Sequence, residues 1–249
     1  APERNRILNS AIASLPEIVS GVYPKEEMKH DFRLFCAELW DKLLDTVEVG
    51  PVIGDAEANP ITFLVDPYVI QGGGTILYAP PGKGKSYTGM LMAVAIDAGN
   101  QNLWPVTRQR VAFVNLERST GSIARRLECV NSALGEDPNR PLICINQRGS
   151  SLTDVRDVIR KCIDTYGIDC IILDSISRAA TGDLNDNRST NQLIDTLNGL
   201  CKTWVALAHT PRGDSSHVYG SVHFEAGADI MVKMMSEESP NELGIALKI

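Results

Sequence analysis

The sequence predicts an α/β fold in which a mainly parallel sheet carries helices on both faces. Two observations predict it. From residue 61 onward, short apolar segments alternate with amphipathic ones, which is the pattern of parallel strands covered on both faces by helices. In addition, a loop rich in glycine and proline at residues 79–86 joins one of these strands to the helix that follows it.

The predicted elements follow from hydrophobic periodicity. We expect strands at 75–79, 111–116, 142–146, 170–174 and 204–209, separated by helices at 87–98, 122–134, 152–166 and 190–202. Two further strand-like segments, 229–235 and 243–249, flank a polar turn. They predict a C-terminal β-hairpin at the edge of the sheet.

Residues 1–50 predict an N-terminal helical segment or linker. Apolar residues recur at helical spacing over 7–18 and again over 28–44, so we expect two helices. The stretch 49–60 is rich in Gly, Pro, Asp and Asn and has no periodicity, which is typical of a linker. We therefore expect the main domain to span 61–249.

Composition limits the class of protein. The 249 residues are 43% hydrophobic, which is enough for a core, and 24 basic against 31 acidic residues give a net charge of −7. This charge argues against a dedicated duplex-binding module, so any nucleic-acid contact must be local. The six cysteines show no CxxC spacing, which favours reduced thiols.

The apolar segments of the sequence indicate where in the cell the protein is expected, and the ends of the chain indicate whether it is a fragment. No run approaches the roughly 18 apolar residues of a membrane span, and no signal peptide is recognisable. We therefore expect a cytoplasmic protein without a membrane partner. Because the chain starts at Ala1 without methionine and stops directly after a strand-like segment, we also expect it to be a fragment of a longer protein.

The loop APPGKGKS at 79–86 has the form of a phosphate-binding loop. In the general pattern GxxxxGK[ST], backbone N–H groups close around phosphate oxygens, the lysine reaches the β- and γ-phosphates, and the hydroxyl binds Mg²⁺. Alanine stands where the first glycine is usual, and its small side chain can still pass beneath the phosphates. The simpler interpretation is a surface turn. The predicted contacts to ATP and Mg²⁺ are Ala79, Pro80, Pro81, Gly82, Lys83, Gly84, Lys85, Ser86 and Tyr87.

Polar residues that end other strands are candidates for the rest of the site, because ligands gather beyond the carboxyl ends of parallel strands. Asp174 has the form of the carboxylate that holds Mg²⁺ beside Ser86, or else it is a helix cap or turn carboxylate. His209 stands where it can touch the terminal phosphate or the attacking water and act with Lys85 in catalysis. Its alternative is a hydrogen-bonded structural histidine.

Glu117 also follows a predicted strand and can polarise the water that attacks the γ-phosphate. Its alternative is a solvated glutamate paired with Arg118 or Arg125. With Arg126 these arginines form a basic cluster on or before the next helix. The simpler interpretation of the cluster is a helix surface whose charges pair with nearby acids.

Together these residues resemble the RecA-like P-loop ATPases, and within them the hexameric replicative helicases typified by the plasmid helicase RepA. The resemblance covers about residues 61–249. It rests on APPGKGKS, VNLER with Glu117, IILDS with Asp174, and ALAHTPRG with His209. It implies a RecA-like fold, ATP hydrolysis, a homo-oligomeric ring that is hexameric in those helicases, and single-stranded DNA as the partner.

The resemblance also implies a basic residue from a neighbouring subunit, directly before a Gly-Ser pair. Tyr219 occupies that position here, so the trans arginine cannot be assigned to it, and Arg212 in the same loop is a candidate on charge alone. The loops that would line a central pore are 177–189 and 210–222, which carry acidic as well as basic residues. The candidate trans or DNA contacts are Arg178, Arg188 and Arg212.

The sequence thus predicts an ATP-hydrolysing motor domain, specifically a ring-type replicative DNA helicase. A regulatory or assembly ATPase that switches oligomeric state without moving DNA is a second hypothesis. A nucleotide-binding structural module with negligible turnover is a third, because of Tyr219. The N-terminal helices predict either a linker that docks on a neighbouring subunit or a cap on the same subunit.

Overall fold

Strands and helices alternate over residues 74–209 in the computed structural model of the protein, as the sequence predicts. Close backbone approaches divide the chain into two units, Ala1–Asp55 and Ala56–Ile249. The domain boundaries at residues 50 and 61 stay predictions. The structure describes residues 10, 22–45, 47, 49–51, 54–55, 57, 60–239 and 242–249.

Helix α1 (Lys25–Asp45) makes up most of the described part of the first unit. It follows Pro24, whose carbonyl accepts a hydrogen bond from the N–H of Met28 at 3.0 Å. Acidic residues in its first turn and a basic residue in its last turn complement the helix dipole. The helix predicted over 28–44 is confirmed, and the one predicted over 7–18 lies outside the described residues.

The second unit is built on a large sheet. Its strands, with those of a separate small hairpin, are β1 (Phe63–Val65), β2 (Val69–Ile70), β3 (Gly74–Ala79), β4 (Val111–Asn115), β5 (Ile143–Asn146), β6 (Cys170–Asp174), β7 (Thr203–His209), β8 (Ile230–Ser239) and β9 (Glu242–Lys248). In the described residues seven strands form the sheet, in the order β5-β4-β6-β7-β3-β8-β9. Neighbouring strands are parallel except β8 and β9, which form the predicted antiparallel hairpin.

The helices of this unit connect the strands. They are α2 (Lys85–Ala98), α3 (Thr120–Ala133), α4 (Leu152–Tyr166), α5 (Ile176–Ala179), α6 (Asn187–Leu200) and α7 (His223–Gly227). None of the helices among the described residues combines the length and apolar character needed to cross a membrane.

Helices cover both faces of the sheet, because successive residues of a strand point to opposite faces. Helices α2 and α3 pack on the face that carries Leu77 and Phe113. Helices α4 and α6 pack on the face that carries Ile76 and Val114. All four strand residues are fully buried, and the predicted α/β, RecA-like fold class is confirmed.

Helices α2, α3 and α6 begin earlier than the periodicity predicts, and for α2 and α6 the structure shows a local cause. Helix α2 begins at Lys85, directly after the left-handed Gly84. Helix α6 begins at Asn187 because the side chain of Asp186 accepts a hydrogen bond from the N–H of Ser189 at 2.9 Å. Apolar periodicity does not report such capping, so it places the helix starts two or three residues late.

The contact between Gly74 and Trp204 yields a test of this packing. These residues pair across β3 and β7, and a Cβ at position 74 would overlap the indole ring. The ring is fully buried and its N–H donates to Asn198 at 2.8 Å, so it cannot easily move away. We expect Gly74→Ala to lower the free energy of unfolding by about 2 kcal/mol or more.

Urea denaturation measures this loss. Gly121→Ala is the matched control, because open space surrounds that position in the first turn of α3, and we expect a change within about 0.5 kcal/mol. Equal stability of the two variants would contradict the close packing of β3 on β7.

Candidate nucleotide site

A cleft lies at the carboxyl ends of β3, β4, β6 and β7. The strand register places its walls, since Ala79 pairs with His209 and Asn115 pairs with Asp174 at the last positions of their strands. Predicted site residues from four distant parts of the sequence, the loop at 82–87, Glu117, Asp174 and His209, therefore meet here. The residues that line the cleft are Gly82, Gly84, Lys85, Ser86, Tyr87, Glu117, Arg118, Arg126, Asp174, Ser175 and His209.

The loop between β3 and α2 has the backbone geometry of an anion-binding turn. Gly82 and Gly84 have φ angles of 81° and 92°, which residues with a side chain rarely adopt. No side chain caps the start of α2, so its first N–H groups remain available to a ligand, and the helix dipole favours an anion there. Pro81 and Lys83 lie in the same loop.

Lys85 is the buried cation of the site. Its Nζ donates to the carbonyl oxygens of Ala79 at 2.7 Å and Pro80 at 2.9 Å, so the ammonium lies against the loop backbone. Burial lowers the pKa of Lys85 from 10.5 to about 8, and the charges of Asp174 and Glu117 partly oppose this effect. The lysine is thus still charged at neutral pH, at a cost that a bound phosphate would offset.

Asp174 and Ser86 form the donor set that suits a divalent cation. Asp174 is buried, its Oδ2 has no hydrogen-bond partner, and the Ser86 hydroxyl contacts the carboxylate. Burial raises the pKa of Asp174, while the Ser86 hydrogen bond lowers it. An unpartnered buried carboxylate oxygen is costly, and Mg²⁺ prefers oxygen ligands, so these residues fit the metal. A helix cap is excluded as the role of Asp174, because Ser175 is the N-cap residue of α5.

Glu117 is held at the edge of the cleft by two contacts. The Ser175 hydroxyl donates to its Oε2 at 3.2 Å, and Nη2 of Arg118 lies 3.4 Å from its Oε1. The side chain is 22% exposed. The pairing with Arg118 that the simpler interpretation foresaw is therefore present, but it occurs inside the cleft rather than on an open surface.

Asn115 positions Glu117, and the sequence analysis did not identify it. This fully buried side chain accepts hydrogen bonds from the N–H groups of Glu117 at 3.2 Å and Arg118 at 2.8 Å. Its Nδ2 donates to the Arg118 carbonyl at 2.7 Å and to Asn146 at 3.0 Å. The polar residue at the end of an otherwise apolar strand was the available signal.

His209 lies at the floor of the cleft, at the end of β7. Burial and the nearby charge of Lys85 lower its pKa, so the imidazole is neutral at neutral pH. Its Nδ1 is buried without a hydrogen-bond partner. Its carbonyl accepts a hydrogen bond from the N–H of Tyr219 at 2.8 Å, which links the cleft to the loop after β7.

The basic cluster divides between the cleft and the surface. Arg118 and Arg126 line the cleft, whereas Arg125 is exposed on another side of α3. The guanidinium of Arg126 lies 4.9 Å from the ring centroid of Tyr87. Helical spacing was the signal, because Arg126 lies one turn after the buried Ile123.

The remaining candidate residues lie outside the cleft lining. Arg178, Arg188 and Arg212 are exposed. The charge of Arg178 contributes to the lowered pKa of His209, and Arg188 lies in the first turn of α6. Tyr219 is 45% exposed in the loop after β7. The trans and DNA-contact roles of these arginines stay predictions.

Comparison with known protein families identifies the family to which the chain belongs. The family described as AAA domain matches residues 42–212, a range that contains every strand and loop of the cleft. The chain belongs to this AAA domain family. It therefore carries an AAA-type P-loop ATPase domain. A search of curated proteins finds no match.

The burial of the Lys85 ammonium group predicts how the stability of the protein depends on pH. Unfolded Lys85 binds a proton more tightly than folded Lys85, so the destabilising contribution of Lys85 decreases as the pH rises from about 8 to 10.5. Lys85→Met lacks this contribution. We expect the stability of wild type relative to Lys85→Met to increase across this range by up to about 3 kcal/mol, at about 1.4 kcal/mol for each tenfold change in proton affinity.

Chemical denaturation of both proteins at several pH values measures this difference. Lys161→Met provides the control, since that lysine is exposed, and its stability relative to wild type should not change with pH in the same way. A constant difference between wild type and Lys85→Met would show that the lysine is not desolvated.

Proposed function

We propose that the domain binds ATP with Mg²⁺ in the cleft, hydrolyses it by water attack, and acts as the motor of a ring-type helicase on single-stranded DNA. The observation that carries the hydrolytic part is the convergence of Lys85, Ser86, Glu117, Asp174 and His209 at one edge of the sheet. Mg²⁺ held by Ser86 and Asp174 would neutralise phosphate charge.

Glu117 is the residue that we assign as general base. It is partly exposed at the cleft, and its two contacts fix the direction of the carboxylate. A carboxylate so held can accept a proton from a water molecule as that water attacks the terminal phosphate. Lys85 leaves the Ala79 and Pro80 carbonyls to bind phosphate oxygens, and neutral His209 serves as a hydrogen-bonding contact to phosphate or water.

The helicase part is supported by the two loops that begin at the cleft. The loop after β6 starts beside Asp174 and the loop after β7 starts beside His209. They are joined, because the N–H of Ser221 donates to the Leu184 carbonyl at 2.8 Å and the Ser221 hydroxyl donates to Asn187 at 2.6 Å. A change at the terminal phosphate can therefore move both loops together, as a DNA-translocating motor requires.

A regulatory or assembly ATPase is the second candidate. The observation that favours it is the mixed charge of the two loops, where Asp183, Asp186 and Asp214 accompany the arginines. Single-strand binding ordinarily uses a positive groove. ATP turnover that DNA does not affect, together with ATP-dependent assembly, would favour this function over the helicase.

Steady-state hydrolysis with and without oligo(dT) tests the proposal. We expect DNA to stimulate turnover, and Glu117→Gln to lower kcat by about 100-fold or more while ATP binding is retained. Glu128→Gln removes a similar charge from an exposed position on α3 and should behave like wild type. Unchanged turnover in Glu117→Gln would exclude Glu117 as the base, and a lack of DNA stimulation would argue against the motor.

The network of Asn115 predicts a separate effect on catalysis. Asn115→Ala removes the acceptor that fixes the Glu117 and Arg118 N–H groups, so we expect kcat to fall more than ATP affinity. The free energy of unfolding should fall by about 1–3 kcal/mol because buried groups lose their partners. Asn146→Ala removes only one of these hydrogen bonds and should have a smaller effect on kcat.

A further inference from the structure

A basic groove lies between α4 and α6, on the side of the sheet whose helices cover Ile76 and Val114. Arg156 and Arg160 line the α4 wall. They are four residues apart, so they stand on one face of the helix about 6 Å apart along its axis. Arg188 lines the α6 wall, in the first turn of that helix.

The side chains that line the groove carry a net positive charge, whereas the protein as a whole is negatively charged. Three arginines face a single carboxylate, that of Asp195, in its lining, although the chain carries a net charge of −7. Arg156 also lies 3.2 Å from the exposed Asp157. In the described part of the chain no close ion pair involves Arg160 or Arg188, although the charge of Arg188 contributes to the lowered pKa of Asp186. A local excess of guanidinium groups therefore remains for an anionic partner.

The remaining lining chemistry indicates which anion fits. Gln192 adds an uncharged hydrogen-bonding side chain on the α6 wall, whereas the Thr196 hydroxyl already donates to the Gln192 carbonyl at 2.6 Å. No aromatic ring occurs among the lining residues, all of which are described, so the groove has no platform on which bases could stack. Guanidinium groups bind phosphate through paired hydrogen bonds. This combination suits a sugar-phosphate backbone rather than bases.

Helix α6, which forms one wall of the groove, is attached at two points to the segment that follows β7. It follows the loop that begins at Asp174, and its first residue, Asn187, accepts the hydrogen bond from Ser221. One turn later a hydrogen bond joins Asn191 Oδ1 and His223 Nδ1 at 2.9 Å. The start of α6, which carries Arg188, is therefore held by the segments that follow both β6 and β7.

We propose that the groove between α4 and α6 binds the phosphate backbone of single-stranded nucleic acid, without sequence preference, and that α6 couples this binding to the cleft. The inference rests on the proposed function, and it names a contact surface for the DNA that extends from Arg188, at the end of the segment 177–189, onto α4. Arg156, Arg160 and Arg188 are the phosphate contacts.

Binding of fluorescent oligo(dT), measured by anisotropy across a range of salt concentrations, tests the groove. The test variant is the double substitution Arg156→Gln/Arg160→Gln, which leaves the cleft and Arg188 intact. Each lost phosphate contact should make the slope of log K against log salt shallower by about 0.7, so we expect a change of about 1.4. Affinity should fall to a similar extent for oligo(dT) and mixed-sequence DNA.

The matched control is Arg125→Gln/Lys161→Gln, which removes the same two charges from exposed positions outside the groove lining. It should keep the wild-type slope. Basal ATP turnover without DNA should be equal in all three proteins, and stimulation by DNA should be lost only in the groove variant.

Three results would overturn the inference: a wild-type slope in the groove variant, an equal change in the control, or weakened binding confined to a polyglutamate probe of matched charge.

These results are distinct from a failure of the proposed function. If wild type shows no DNA-stimulated turnover but the groove variant still loses DNA binding, the helicase fails and the groove stands. If stimulation is present and the groove variant keeps it, only the groove fails.

Discussion

The hydrogen-bonded register of the parallel strands is the constraint on which the site depends. Parallel strands cannot shift by one residue without turning every buried side chain to the opposite face. Strands β3, β4, β6 and β7 are buried on both faces, so the packing of their side chains against the helices on each face fixes the register and the position at which each strand ends. That register places Ala79 beside His209 and Asn115 beside Asp174. The packing of the core therefore determines the relative positions of the residues that line the cleft.

The cleft carries a free-energy cost that its ligands can relieve. Lys85 is buried with a lowered pKa, Asp174 is buried with a raised one, and one oxygen of Asp174 lacks a partner. Buried ionic groups persist when the surrounding fold is stable enough to tolerate them. The large two-sided core supplies that stability. Phosphate at the lysine and a divalent cation at the aspartate would satisfy both groups.

The same strands also explain how the cleft can act at a distance. β6 and β7 end at Asp174 and His209, and the segments that follow them meet through Ser221, Leu184 and Asn187. Both segments therefore attach to α6. In the coupling that we propose, a displacement of either strand end would reach the groove between α4 and α6 through these hydrogen bonds.

The sequence by itself determined the layered α/β architecture, the phosphate-binding loop and the strand-end candidates Glu117, Asp174 and His209. Apolar periodicity and the local geometry of glycine are encoded within single segments, so they can be interpreted without a structure. Only the tertiary structure showed that Asn115 orients Glu117, that Arg126 rather than Arg125 enters the cleft, and that Arg156, Arg160 and Arg188 share a groove. These are relations between segments far apart in the chain, and they exist only after the sheet register and helix packing bring those segments together.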